Sequence, residues 1–504
     1  MARKRERQIT FGPILTMVIT IILVMVLSFI FSKLGLTTNK SEIISGEIST
    51  SNISVNNALS KEGISYLFSN ILENFKNLNV IYAFIVAMIG IGFANSSGLF
   101  KKTFKNAKKF KLSFVIVLTL VSGCILGKIG LNSYALLLPL AAYIYKNLGK
   151  NPLVGLITMF IALTMGQAAS ILPTYLNQNM GLITEEAAKI TVDANYAFNS
   201  SSLIYITLGS FVLFVFVGKI IIDKYLVPKL PKQKNEEEIE ELEVEHNGLK
   251  KSNIAFIIML ILLIYAIIPG LPLSGGLLGN GNNYLEKLLG DTSPFKESFV
   301  FLISLMLVIC GSIYGFASKK FKNLDDFTRG FSESLSGLSL AFIFMFLISE
   351  LTSVLKYTNL DTFLVSTLVN WLSNLEITGL GLILIFFLVT IIISVIIPDT
   401  MTKWSFVGPI IVPLLMRANM SASFAQFIFT VADGIGKSFS LIFPFTAILF
   451  GLIYKYTDSG DYGFIRVYKL FSPLIILFIV IWIVIIITWY VVGIPIGIGV
   501  LPSL

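Results

Sequence analysis

Two aspartate–lysine pairs in the second half of the chain sit inside otherwise apolar sequence: Asp399 with Lys403, and Asp433 with Lys437. Residues four apart share one face of a helix. Pro398 lies beside the first pair, and Gly434 and Gly436 lie within the second, so each pair falls where a helix is interrupted. A charge at the centre of a bilayer costs about 2.5–3.5 kcal/mol on insertion scales, and such charges mark functional sites by default. Charged, broken segments suit ion-coupled transport. A carboxylate takes the proton or cation, freed carbonyls help to coordinate it, and half-helix ends face the cargo.

Asp433 is the first candidate for the coupling carboxylate, with Gly434 and Gly436 expected to unwind the backbone around it and Lys437 as its partner. A structural ion pair is the plainer role for Asp433 and Lys437, and it is compatible with coupling. A sodium ion near Asp433 or a proton on it would be the coupled species; no other cofactor is expected. Asp399 suits either a substrate contact or the N-cap of the helix that follows. Ser394, Thr400 and Thr402 add hydroxyls beside it, and Trp404 offers a ring to stack on cargo or to pack.

The first half holds a matching polar set. Ser122, Gly123, Asn132 and Ser133 border a short polar interruption, with Lys128 at its centre. Lys128 could pair with a substrate carboxylate, with Asp433 or Asp399, or reach the cytoplasmic surface along its own stem. Gln167 and Ser170 lie in a second break and could bind substrate or satisfy nearby backbone. Glu350 near a helix end reads as an interfacial anchor, with proton relay as the alternative.

These residues need elements to hold them, and composition says what kind. The chain is 55% hydrophobic and 13% charged, whereas soluble domains carry about a quarter charged residues. The apolar surface must therefore face lipid. The net charge of +9 does not imply nucleic acid, because the basic residues cluster in short alternate loops. The run Lys101–Lys111 holds six lysines. Under the positive-inside rule these loops and the N-terminus are cytoplasmic. The run Phe11–Phe31 is too long for a signal-peptide core and reads as a first span.

That sidedness forces residues 113–147 to enter and leave on one face, as a re-entrant hairpin. Residues 380–417 do the same from the other face. Each hairpin is followed by a broken helix: 152–178, interrupted at Thr164–Ser170, and 424–454, interrupted at Asp433–Ser440. Hairpin plus broken helix, repeated in opposite orientation, is an inverted repeat. The expected fold is an all-α polytopic membrane protein with about nine transmembrane helices and two oppositely oriented re-entrant hairpins. Its halves are 1–231 and 253–504, joined by an acidic cytoplasmic linker over 232–252, with a last span at 471–493. Ile64–Leu78 and Phe363–Leu375 read as amphipathic segments along the outer interface.

The residues also resemble a known family. Ser60-Lys-Glu-Gly-Ile-Ser, Gly149-Lys-Asn-Pro-Leu-Val-Gly155, Thr184-Glu-Glu-Ala-Ala188, Asp223-Lys-Tyr-Leu-Val-Pro-Lys-Leu230, Ala432-Asp433 and Trp489-Tyr-Val-Val-Gly-Ile-Pro-Ile-Gly497 occur in the order seen in the AbgT family. The likeness runs over nearly the whole chain. It implies a homodimeric secondary transporter of a bacterial cytoplasmic (inner) membrane. The implied cargo is p-aminobenzoyl-glutamate, or a sulfonamide expelled by proton antiport. Another small organic anion or amino acid on the same scaffold is the alternative. The chain departs from the family's pattern at Leu131, Ser170, Ser394 and Thr430, where aspartate, two asparagines and an arginine are usual. It adds charge at Lys128, Lys403, Lys437 and Glu350, while Asp433 and Trp404 persist.

A channel would need a continuous polar stripe, and polarity here is confined to four breaks. Gly-x-Ser-x-Gly, His-Glu-x-x-His and Gly-x-x-x-x-Gly-Lys-Ser/Thr are absent, so neither hydrolase nor ATP-driven chemistry has a motif. The single histidine, His246, falls in the linker, and Cys124 and Cys310 lie in apolar runs.

Overall fold

The computed structural model describes residues 12–44, 46–199, 201–230, 246–457 and 464–504. Most of the expected 232–252 linker, the N-terminal basic residues and residues 458–463 lie outside the described residues.

The chain begins with α1 (Pro13–Lys33), the hairpin β1 (Thr37–Ile44) and β2 (Glu47–Ser54), then α2 (Lys61–Lys76), α3 (Val80–Ser96) and α4 (Leu99–Phe104). Next come α5 (Leu112–Leu126), α6 (Asn132–Asn147), α7 (Pro152–Thr164), α8 (Tyr175–Thr191) and α9 (Ile204–Ile221). The second half holds α10 (His246–Ile267), α11 (Tyr284–Leu289), α12 (Pro294–Ala317), α13 (Leu324–Ser334), α14 (Ser339–Thr358) and α15 (Leu360–Ser373). It ends with α16 (Gly379–Ile396), α17 (Thr400–Arg417), α18 (Ala422–Phe439), α19 (Pro444–Lys455) and α20 (Phe464–Val492).

Among the described residues eight helical runs are long and apolar enough to cross a bilayer, or nine if α18 and α19, bent by 44°, count as one span. The expected helical membrane architecture is therefore observed. α1 and α10 leave apolar side chains such as Ile22, Leu23, Ile257 and Leu262 more than half exposed. That is the surface lipid covers.

Both helical hairpins are present, α5–α6 with its turn at 127–131 and α16–α17 with its turn at 397–399. The second arm of each carries internal proline: Pro139 in α6, Pro409 and Pro413 in α17. Each hairpin lies against its own broken helix, α5 and α6 on α7, α16 and α17 on α18. Each second arm also reaches the far segment of the other half, α6 on α19 and α17 on α8. The two repeats thus interlock crosswise.

Local chemistry sets the helix starts. Asn151 caps α7 ahead of Pro152, Thr174 caps α8 by accepting from Asn177 N at 3.1 Å, and Ser421 caps α18 by accepting from Phe424 N at 3.3 Å. These short polar side chains satisfy amides that would otherwise point into the apolar interior.

Several boundaries differ from expectation. The first break spans Met165–Thr174, close to where it was expected. The second lies at Ser440–Phe443, because α18 runs without interruption through Phe439. Asp433, Gly434 and Gly436 are therefore helical, not unwound. The glycines serve close approach instead. A Cβ on Gly434 would come within 2.3 Å of Thr164 O in α7, and one on Gly436 within 2.4 Å of Ile391 O in α16. The end of the expected linker, from His246, is already the start of α10, and the last span starts at Phe464. Between α1 and α2 lies the β1–β2 hairpin, in which Gly46 adopts φ 81° near the turn. The segment Phe363–Leu375 falls mostly in α15, which buries Leu360, Phe363, Val365, Val369 and Leu372, with β1, α16 and α17 as its neighbours. α2 is amphipathic as read, with Leu67 buried and Phe68 and Leu72 exposed.

The glycine contacts give a stability prediction. Gly436→Ala should destabilise the detergent-solubilised protein by about 1–3 kcal/mol through overpacking, despite the better helix propensity of alanine. Gly276→Ala, which meets nothing within 4 Å, should leave the melting temperature unchanged. Thermal melting monitored by size-exclusion recovery reads both.

Candidate functional site

The centre of the interlocked repeats is an ionic cluster. Asp433 and Lys403 are fully buried, and Lys437 is 3% exposed. Lys403 Nζ donates to Asp433 Oδ1. On the other oxygen, Oδ2, Lys437 Nζ sits at 3.0 Å, Thr400 Oγ1 donates at 2.6 Å and Gln167 Nε2 donates at 2.9 Å. Lys437 Nζ also donates to Thr400 Oγ1 and, at 3.1 Å, to Gln167 Oε1. One carboxylate is thus held by two ammoniums, a hydroxyl and an amide drawn from α17, α18 and the break after α7.

Gln167 extends the network. Its backbone carbonyl, like that of Gly166 at 3.1 Å, accepts from Lys128 Nζ, which reaches across from the turn of the first hairpin. Three lysines and one aspartate are therefore linked through one glutamine. In low dielectric each unpaired charge would cost several kcal/mol, so the pairing is obligatory. As arranged, Oδ2 of Asp433 meets three donors and Oδ1 meets the Lys403 ammonium, so a sodium ion there would compete with two cations already on the carboxylate.

Lys403 was not singled out as a site residue in the sequence, where it pairs formally with Asp399. The structure separates them. Asp399 is the exposed N-cap of α17 and accepts from Thr402 N at 2.7 Å. Lys403, one turn further on, faces inward to Asp433. The signal was available: Pro398-Asp399 marks a helix start, and a cap uses its carboxylate on the backbone. Lys437 does pair with Asp433 at i+4, as expected. Lys128 pairs with neither aspartate and caps carbonyls instead.

The other candidates divide. Thr400 and Gln167 join the cluster directly. Thr402 is exposed at the same helix start. Trp404 is fully buried and donates through Nε1 to Met180 O and Thr184 Oγ1, both at 3.1 Å, with its ring centroid 4.5 Å from that of Phe429. It packs α17 on α8 and presents no face to cargo in this conformation. Thr430 bonds back to Gln426 O at 2.8 Å within its own helix. Ser170 Oγ turns to Leu172 O at 2.7 Å, Ser133 Oγ to Gly130 O at 2.7 Å and Ser122 Oγ to Thr119 O at 3.0 Å. Gly123 lets α5 approach α7, since a Cβ there would lie 2.5 Å from Ala162 Cβ. Asn132 begins α6 and is half-buried. Ser394 is fully buried with no hydrogen-bond partner for its Oγ, and its Cβ lies where one on Gly436 would be, 2.5 Å away. Glu350 also has a buried, unpartnered Oε1, in α14.

A second buried polar set went unread in the sequence. Gln426 accepts from Thr184 Oγ1 at 2.7 Å and donates to Asn177 O at 2.9 Å. With Trp404 it ties α8, α17 and α18 together beside the ionic cluster.

The model for the AbgT putative transporter family matches residues 9–504 of the chain. The chain belongs to the AbgT family. Among relatives in that family, it is 24% identical to the p-aminobenzoyl-glutamate transport protein of Escherichia coli (strain K12) over 98% of this chain and 94% of that one. It is also similar to two solved structures. The YdaH transporter of Alcanivorax borkumensis shares 21% identity, with 97% and 100% of the two chains covered and a TM-score of 0.49. MtrF of Neisseria gonorrhoeae, described with a class of antimetabolite efflux pumps, shares 22% identity, with 98% of each chain covered and a TM-score of 0.48. This AbgT member is a multi-pass membrane transporter.

The cluster makes a signed prediction. Asp433→Asn leaves two ammoniums facing each other and should destabilise by about 3–5 kcal/mol. Adding Lys403→Met to that variant should restore part of the loss, because it removes one of the orphaned charges. Melting temperatures of the two variants check this, and additive losses would show that the charges do not interact.

Proposed function

We propose that this AbgT-family transporter carries a small organic anion, with its carboxylates received by the buried lysines. The observation that supports this most is charge balance: three ammoniums, those of Lys128, Lys403 and Lys437, are linked through Gln167 to the single carboxylate of Asp433. A desolvated site with surplus positive charge favours an anionic ligand. p-Aminobenzoyl-glutamate carries two carboxylates, matching that surplus, and the name of the Escherichia coli relative points to the same compound. The lysines then do the work of the arginine whose place Thr430 takes.

Cargo would bind between the two hairpin turns and the two broken helices, with Asp433 released from one lysine as the anion arrives. The cluster is closed to solvent here, so access requires the hairpin module to move against the rest of the chain. We place the protein as a homodimer in a bacterial cytoplasmic membrane, N-terminus inside, and driven by a cation gradient. Basic residues in alternate loops support that orientation. Sulfonamide export is a weaker fit, because a neutral sulfonamide leaves the surplus charge unmet. Another small carboxylate or amino acid is the second reading, favoured by the departures at Leu131 and Ser394.

Proteoliposomes loaded by imposed proton or sodium gradients test this with labelled p-aminobenzoyl-glutamate. Saturable uptake should be competed by unlabelled compound and not by its diamide, and Lys437→Met should weaken it by at least about tenfold, or about 1.4 kcal/mol. Equal competition by the diamide would remove the anion reading.

A further inference from the structure

Transporters with broken helices hold coupling cations in two kinds of place: at the carbonyl end of a half-helix, and at a buried carboxylate. Both places exist in this chain, and both are filled by lysine.

The carbonyl end is that of α7. The carbonyls of its last turn and of the break that follows carry the negative end of the helix dipole. Protein donors meet them one by one. Tyr134 OH donates to Leu163 O at 2.5 Å, and Trp482 Nε1 donates to Met165 O at 3.1 Å. The next two carbonyls, Gly166 O and Gln167 O, both accept from Lys128 Nζ. A single positively charged atom thus bridges two adjacent carbonyls at the break. Carbonyls freed at the end of a half-helix are among the groups that coordinate a monovalent cation. Lys128 comes from the turn of the opposite element, the first hairpin, so the same contact joins hairpin to broken helix. The carboxylate place is Asp433, whose two oxygens face Lys403 and Lys437.

We propose that Lys128 is a tethered cation, standing at the α7 carbonyls in the place of a free sodium ion, so that the fold of this chain does not depend on sodium. The proposal rests on reading the chain as a cation-coupled transporter, and it narrows which cation can serve. A covalently held ammonium contributes the charge without a concentration requirement. It cannot dissociate into the cytoplasm, so no sodium gradient can be harvested at this place.

The test is thermal melting of the purified full-length protein in detergent, without substrate, in sodium chloride against choline chloride at equal ionic strength. Wild type and Lys128→Arg should melt at the same temperature in both salts. Lys128→Ala, which removes the ammonium from the two carbonyls, should melt lower in choline and be restored saturably by sodium. A saturable, sodium-specific rise in the wild-type melting temperature overturns the proposal. So does a folded Lys128→Ala that responds alike to both salts. If Lys128→Ala is not recovered folded, Lys128→Gln takes its place with the same two outcomes, and the wild-type comparison decides by itself. Because no substrate enters the measurement, failure to transport p-aminobenzoyl-glutamate would leave this result standing.

Discussion

The carboxylate of Asp433 is the constraint from which the rest of the structure follows. A lone carboxylate is costly in this interior, and two neighbouring ammoniums without it are costlier still. Meeting all of these requirements at once needs elements from both halves of the chain. α18 supplies Asp433 and Lys437, the start of α17 supplies Thr400 and Lys403, and the break after α7 supplies Gln167. The ionic centre therefore specifies how the second hairpin docks on its own broken helix and how that helix meets the other repeat.

Close packing serves the same end. Gly434 brings α18 onto the terminal carbonyl of α7, and Gly436 brings it onto α16. With larger residues the backbones would separate, and the short polar side chains of Thr400 and Gln167 would lose their partners. Beside this centre the neutral set of Trp404, Thr184 and Gln426 locks α17 to α8. A conformational cycle that exposes the site must break contacts of both kinds. Incoming anionic cargo offsets part of that loss, since it supplies the negative charge the lysines share.

Much of this was legible in the sequence because membrane sequences encode topology in composition. The hairpins and breaks followed from charge in the loops and polar interruptions in apolar runs, and Asp433 stood out as a charge where none is tolerated without reason. What was not legible is partner choice. Lys403 lies four residues from Asp399 and thirty from Asp433, and sequence spacing favoured the wrong neighbour. The cap at Asp399 resolves it, because the carboxylate bonds Thr402 N and stays exposed. Gly434 and Gly436 suggested unwinding, yet glycine within a helix also permits close backbone approach, and only the neighbouring helices tell the two apart. Gln426 gave no signal, and Thr184 stood out only within a family stretch, since neutral polar residues in apolar helices are common.

The central claim is that cargo carboxylate replaces Asp433 as the partner of a buried lysine. A cryo-EM structure in lipid nanodiscs with saturating p-aminobenzoyl-glutamate tests it most directly. The account predicts ligand density at the cluster, with a carboxylate oxygen about 3 Å from Nζ of Lys403 or Lys437 and the corresponding contact to Asp433 lengthened. Ligand bound elsewhere, with both lysines still on Asp433, would contradict it.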